Sequence, residues 1–325
     1  MKAPDFWFRP KGWQARALTP LSKLYAAATA RRLRNGKPLK LGIPVICVGN
    51  INAGGTGKTP TTIALAERII ARGKAPHIIS RGYGGSLEGP VRVDERTHTA
   101  TEVGDEPLLL SAFAPVWVAK DRAAGAKCAA AAGADMVLLD DGHQNPALIK
   151  DVSIVVADAA RGFGNGCVLP AGPLREPAEV GLARADALLK IGTSKAQARF
   201  SGLHHIPDTL PHIAGQLRPL QTGMDWDGLR VLAFAGIGMP EKFFATLSSL
   251  GADIAKKEPL DDHQPLSDAL LTRLASEAAA LNAQLVTTEK DAVRMPASFR
   301  SQVLTVPVRL QIEDWSALDA LLDQV

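Results

Sequence analysis

The stretch Val48-Gly-Asn-Ile-Asn-Ala-Gly-Gly-Thr-Gly57-Lys58-Thr59-Pro60 decides how the rest of the chain is read. An apolar run, Ile43 to Val48, leads into it, and a helical pattern, Thr61 to Ala71, leads out. That strand–loop–helix setting is what a phosphate loop needs. Its glycines let backbone N–H groups turn onto an anion, and the start of the helix adds a favourable partial charge. Gly54, Gly55, Thr56, Gly57, Lys58 and Thr59 are therefore the expected nucleotide-binding residues, with Lys58 reaching the β and γ phosphates and Thr59 offering its hydroxyl to Mg²⁺. Pro60 falls in the first helical turn, where a missing N–H costs little. The usual pattern has glycine at position 52, where this chain has Asn52, a residue that tolerates left-handed backbone.

Outward from the loop, apolar runs alternate with helical stretches. His77 to Ser80, Met136 to Leu139, Ser153 to Ala157 and Ala187 to Ile191 read as strands, and Ala123 to Ala132 as an alanine-rich helix. Such alternation predicts an α/β fold, a mostly parallel sheet flanked by helices over residues 41–205. A proline-dotted stretch, 206–220, reads as a linker or connecting strand. After it the pattern restarts with a strand at Val231 to Ala235, helices at Glu241 to Leu250 and Asp268 to Leu281, and a strand at Gln284 to Thr287. Residues 221–325 are thus expected to form a second, smaller α/β domain lining a cleft, as 325 residues favour two cores over one.

Residues 1–40 form a third region, with aromatics (Phe6, Trp7, Phe8, Trp13, Tyr25) among basic residues and Asp5 as the only acid. From Leu18, the positions Leu21, Tyr25 and Ala28 recur at helical spacing. Two readings follow, an amphipathic helix lying in a membrane interface or a helix packed on its own domain. No apolar run is long enough to cross a bilayer. Charge and proline near the start argue against a cleavable signal peptide. Cys47, Cys128 and Cys167 are scattered without zinc-site spacing and read as core thiols of a reducing compartment. The net charge of +4 fits an anionic substrate without specifying one.

Three further motifs carry candidate chemistry. Met136-Val-Leu-Leu-Asp140-Asp141-Gly142 is an apolar strand ending in acid, where phosphate-loop enzymes place a metal-binding carboxylate. Asp105, in Val103-Gly-Asp-Glu-Pro107, either caps a helix or accepts a proton. His263, in Asp261-Asp-His263-Gln-Pro265, precedes a helix of the second domain, and spacing alone does not connect it to Asp105.

Together with Ser80-Arg-Gly-Tyr-Gly-Gly85, Leu169-Pro-Ala-Gly-Pro-Leu-Arg-Glu176 and Thr287-Thr-Glu-Lys-Asp-Ala-Val-Arg294, these segments resemble the lipid A 4'-kinases over nearly the whole chain. The resemblance implies ATP and Mg²⁺ as cofactors, and phosphorylation of the 4'-hydroxyl of a tetraacylated glucosamine disaccharide 1-phosphate. It implies a peripheral enzyme at the cytoplasmic face of the bacterial inner membrane, held there by the N-terminal segment, with neither nucleic acid nor an obligate protein as partner. By residue, it implies Lys58 and Asp105 as catalytic, with His263 orienting Asp105. Thr59, Asp140, Asp141 and Glu176 are implied at the metal, and Arg81, Tyr83 and Arg175 toward the acceptor and phosphates. The family often has Phe or Leu and then His where this chain has His143 and Asn145.

Two other classes share parts of the pattern. A phosphate-loop ATPase acting on a protein partner often has lysine near Ala53, and this chain does not. A GTPase needs [NT]KxD, and Thr288-Glu-Lys-Asp291 places the lysine one position late.

Overall fold

The computed structural model describes residues 3–325; positions 1 and 2 of the expected N-terminal segment lie outside the described residues. The strands, in chain order, are β1 (Val45–Gly49), β2 (Pro76–Ser80), β3 (Val91–Arg92), β4 (Val116–Val118), β5 (Met136–Asp140), β6 (Val152–Asp158) and β7 (Ala187–Ile191). They continue with β8 (His212–Pro219), β9 (Arg230–Ala235), β10 (Asp253–Pro259), β11 (Gln284–Thr288), β12 (Val303–Val306) and β13 (Val308–Ile312).

The larger sheet runs β13-β8-β7-β6-β1-β5-β2-β4-β3. Its pairings from β8 through β4 are parallel, and both edge pairings, β13–β8 and β3–β4, are antiparallel. Every residue of β1, β2, β5 and β6 is buried, as expected for strands covered on both faces. On one face Ile46, Ile78, Leu138 and Ile154 pack with Ile63, Leu65 and Ile69 of the helix Lys58–Ala71. On the other, Cys47, Ile79, Val137 and Leu139 meet Ala126 and Ala129 of the helix Arg122–Ala131. Each fully buried Ile or Leu contributes about 1.5–3 kcal/mol, so the floor beneath the phosphate loop is rigid. The smaller sheet, β10-β9-β11-β12, is parallel throughout and carries its own core around Phe234, Leu271, Leu274 and Phe244.

Sheet membership divides the chain differently from the expected boundaries. Of the two readings of residues 206–220, linker or connecting strand, the strand is what forms: they contain β8, which pairs with β7 and with β13. Prolines 207, 211 and 219 lie before the strand or at its last residue, where a missing N–H costs the ladder little. The segment 221–325 does not all belong to the second unit. After β12 the chain returns through Pro307 to the first sheet as β13, and the helix Ser316–Leu322 follows. There Asp319 pairs with Arg68, and Arg72 lies 2.9 Å from both Asp319 and Asp323. The two crossings between units are bonded to each other, Leu220 N donating to Pro307 O at 2.8 Å.

The N-terminal helix forms over Trp13–Arg34, but its inward face is small and polar. Ala15, Ser22 and Thr29, seven residues apart, are buried. The expected apolar stripe points outward, with Leu21 54% and Tyr25 40% exposed and Ala28 exposed too, and Trp13 and Leu24, outside that stripe, are 75% and 69% exposed.

Candidate active site

β1 and β5 are neighbours in register, Val48 opposite Asp140, so the phosphate loop and the acidic strand end emerge side by side. Gly54 and Gly57 hold φ of +101° and +99°, values an L side chain resists, and a Cβ on Gly57 would lie 2.5 Å from Ile191. Asn50 Nδ2 braces the loop by donating to Gly54 O at 3.2 Å and Thr56 Oγ1 at 3.0 Å. Asn52 is not left-handed, contrary to the expected reason for its tolerance. Instead it makes an antiparallel bridge with Leu174, and its side-chain amide donates to Gly162 O at 2.9 Å, a bond glycine could not make.

The Leu169–Glu176 segment is laced to this loop. Ala53 N donates to Pro173 O and Arg175 N to Ile51 O, each at 2.7 Å. Glu176 is buried, and its Oε1 accepts from Gln144 Nε2 at 2.9 Å and Arg184 at 2.8 Å. Gln144 Nε2 also donates to Asn50 O at 2.7 Å. His143 is buried beneath the loop with Nε2 2.9 Å from Gly181 O, and a Cβ on Gly49 would meet its own Cβ at 2.4 Å. Burial, then Arg184, brings the His143 pKa down to about 4, which keeps it neutral. It is a packing residue rather than one facing the phosphates.

The two acids of the strand end differ. Asp140 is buried, with Oδ2 accepting from Ser80 Oγ at 3.2 Å and Oδ1 unpartnered. Burial, then the charges of Glu106 and Asp141, push it up to about 7. Asp141 sits at φ 53°, a strained position for a non-glycine residue, and is a third exposed. Burial works to raise it, but Lys58 at 3.7 Å and Arg175 at 2.8 Å outweigh that and bring it to about 2.

Asp105 begins the helix Asp105–Leu110, after Gly104, as its first residue rather than its N-cap. Its Oδ1 accepts from Glu106 N at 2.9 Å, and its Oδ2 lies 2.9 Å from His263 Nδ1. The two residues that sequence spacing left unconnected meet across the cleft between the units. His263 holds φ 58° in the turn after β10. Burial works to raise the Asp105 pKa, but the hydrogen bond to His263, with Lys290 and Arg294, draws it below its ordinary value. The same hydrogen bond raises His263 against burial and Lys290. Leu108 and Leu110 of the Asp105 helix share a core with Ile63 and Leu65 of the helix Lys58–Ala71, which opens at the phosphate loop. Tyr83 is exposed and stands edge-on to His263, ring centroids 5.5 Å apart, while Arg81 is exposed on the same loop.

Sequence reasoning assigned no role to Asn50, Ser80, Gln144, Lys290 or Arg294. Lys290 and Arg294 lie in the quoted Thr287–Arg294 motif, but a charge run on a short helix reads as a solvated face. Asp291, whose spacing from Lys290 already argues against guanine recognition, is fully buried and bonded to Thr288, Gly236 and Arg294. It has no valence left for a base.

A phosphate loop on a central strand, an acidic neighbouring strand end and a carboxylate–imidazole pair contributed by the two units define a phosphate-loop phosphotransferase. The chain belongs to the tetraacyldisaccharide-1-P 4'-kinase family, whose pattern matches residues 14–325. It is 64% identical to the tetraacyldisaccharide 4'-kinase of Dinoroseobacter shibae, covering 99% of this chain and 97% of that one. Identity to the kinase of the same name from Jannaschia sp. is 60%, over 100% and 99% of the two chains. In structure it is similar to LpxK from Aquifex aeolicus crystallised in complex with ATP, with a TM-score of 0.77 and 26% identity over 95% of this chain and 98% of that one.

Proposed function

We infer that the protein transfers the γ-phosphoryl group of ATP to the 4'-hydroxyl of a tetraacylated glucosamine disaccharide 1-phosphate. The family supplies the reaction. The observation that carries the residue roles is the 2.9 Å contact between Asp105 and His263, one residue from each unit. ATP seats its phosphates on the N–H groups of Gly54 to Thr59, a Cβ at Gly54 or Gly55 meeting nothing within 4 Å, so the backbone is open to a ligand. The ATP complex of the Aquifex relative supports ATP as the nucleotide. Lys58 offsets charge on the β and γ phosphates, with Asp141 and Arg175 setting its direction.

The donor set suits Mg²⁺. Asp140 Oδ1 and Glu176 Oε2 are buried oxygens without a hydrogen-bond partner, and Thr59 adds a hydroxyl. No group of three or more His, Cys, Asp or Glu side chains gathers as a metal site among the described residues. Mg²⁺ beside phosphates needs only one or two carboxylates, with substrate oxygens and water completing its shell. When bound, it neutralises charge on the transferred group.

Asp105 accepts the proton of the attacking hydroxyl, and His263 orients the carboxylate through the bond at Nδ1. The contact exists only when the two units meet, so closure and completion of the site are one event. Tyr83 and Arg81 stand at the mouth toward the sugar and its phosphate.

The acyl chains hold the acceptor in a bilayer, so the enzyme meets it at the surface. Trp13, Leu21 and Leu24, exposed on one face of the N-terminal helix and flanked by Arg16, Lys23, Arg31 and Arg32, suit a peripheral contact. No helix of the described residues is long and apolar enough to cross a membrane. The nucleotide pool places the reaction on the cytoplasmic face, and no obligate protein partner is required.

Mass spectrometry of the lipid after incubation with ATP tests the reading, with one added phosphate at the 4' position expected. ATP hydrolysis without a phosphorylated lipid would point instead to an ATPase serving a protein partner.

A further inference from the structure

We propose that Lys290 is a positioning residue for the Asp105–His263 pair, its ammonium group fixing the imidazole tautomer that points Nδ1–H at Asp105 and opposing protonation of the ring. The proposal rests on the reading of that pair as the proton acceptor. Lys290 Nζ lies 3.3 Å from His263 Nε2 and 3.2 Å from Glu106 Oε1. An ammonium group has donors only, so it meets Nε2 favourably when that nitrogen presents its lone pair. A neutral imidazole with Nε2 as acceptor carries its one proton on Nδ1, which faces Asp105 Oδ2 at 2.9 Å. An imidazolium would set an N–H against the ammonium group.

The other groups facing the ring act in the opposite sense or at its margin. Asp105 favours the charged ring, and so does Asp262, whose Oδ1 lies 3.8 Å from Nε2. Arg294 Nε stands 3.9 Å from Asp105 Oδ2 and draws charge from the carboxylate, while Glu106 partners Lys290 and the Tyr83 ring covers the edge. Lys290 is thus the cation set directly against Nε2. The balance is visible in His263, raised by its bond to Asp105 with burial and Lys290 opposing.

The surrounding fold holds Lys290 in register with the histidine turn. Thr288 caps the short helix Glu289–Ala292, and Asp291 takes up Gly236 N at 3.1 and 3.2 Å. Arg294, paired with Asp291, donates to Gln264 O at 2.8 Å and Gly236 O at 3.1 Å, while His263 N donates to Gly236 O at 3.2 Å. Glu289 reaches Arg309 of β13 at 2.7 Å, tying the same helix to the first unit's sheet. A side chain on so fixed a frame loses little freedom in aiming at the ring.

A neutral ring leaves Asp105 the better proton acceptor, so the acid limb of turnover follows His263. Removing the Lys290 charge should move that limb to higher pH. The test compares wild type, Lys290→Met and Lys290→Arg by the pH profile of single-turnover phosphoryl transfer. It adds NMR titration of ¹³C-labelled histidines, His263 being assigned through His263→Gln, with ATP affinity reporting an intact phosphate loop. In Lys290→Met, the His263 titration and the acid limb should both move up. The rate deficit should be about tenfold greater at pH 6 than at pH 8.5, with Lys290→Arg near wild type. An unmoved His263 titration, or a deficit equal at both pH values, overturns the proposal. Failure of the underlying reading is distinct, since wild-type turnover by Asp105→Asn would remove the pair's role while leaving the titration measurable.

Discussion

Asp105 and His263 stand 158 residues apart in the chain and 2.9 Å apart in the fold, each contributed by a different sheet unit. Both are held by backbone as well as by each other. Asp105 opens a helix and its carboxylate accepts from Glu106 N, and His263 sits in a left-handed turn pinned to Gly236. Strain of this sort persists only where the surroundings enforce it.

The contact makes closure dependent on pH. His263 is raised above 6.5, so its share of the contact is fully present below 6.5 and is lost as pH rises through the raised value. Asp105 is depressed below 3.8, so its share is present above 3.8 and is lost as pH falls through the depressed value. The contact is therefore strongest between 3.8 and 6.5. Thermal melts should show wild type exceeding His263→Gln in Tm by about 2 °C more at pH 5.5 than at pH 8.5. A difference independent of pH would mean that the pair carries no net charge-dependent contact.

Lys58→Ala should reduce phosphoryl transfer by at least about 10²-fold, the usual loss when one fixed donor to developing charge is removed. The fold should survive, because Lys58 lies at the loop with its side chain aimed at Asp141 rather than into the core. Turnover within about threefold of wild type would remove Lys58 from the phosphate site.

Ser22 links the N-terminal helix to the active-site frame. Its Oγ donates to Val168 O at 2.7 Å and accepts from Ala171 N at 3.1 Å, and the segment that follows is laced to the phosphate loop. Ser22→Ala leaves the Ala171 N–H unpaired, while Val168 O keeps the bond from Gly172 N at 3.2 Å, and should cost about 1–3 kcal/mol in denaturant unfolding. A cost under about 0.5 kcal/mol would show that water replaces the hydroxyl.

How much of this was legible follows from where the determinants lie. The phosphate loop and the acidic strand end could be read because local pattern fixes them, apolar runs ending in glycine or acid. At 206–220 the prolines leave linker and connecting strand both open, and the return of the chain as β13 could not be read, because β13 is a late, short edge strand. The N-terminal stripe at Leu21, Tyr25 and Ala28 was visible as a period, but the period does not say which way it faces. Here small residues, Ala15, Ser22 and Thr29, allow the close approach and leave the larger apolar groups outside. The role of Asp105 was open between cap and base because its partner is remote in sequence.

That outward face leads to a direct test. Trp13→Glu with Leu24→Glu should abolish flotation with vesicles containing anionic phospholipid while leaving Tm within about 1 °C, because both side chains are mostly exposed. Undiminished flotation would place the membrane contact elsewhere.

The most direct test of the account is single-turnover phosphoryl transfer by Asp105→Asn, measured beside its ATP dissociation constant. Asparagine keeps the shape and can still bond to His263, but it cannot take the proton. The account predicts a rate at least about 10²-fold below wild type with ATP binding unchanged. A rate close to wild type at the same ATP affinity would contradict it, reducing Asp105 to a structural partner of His263.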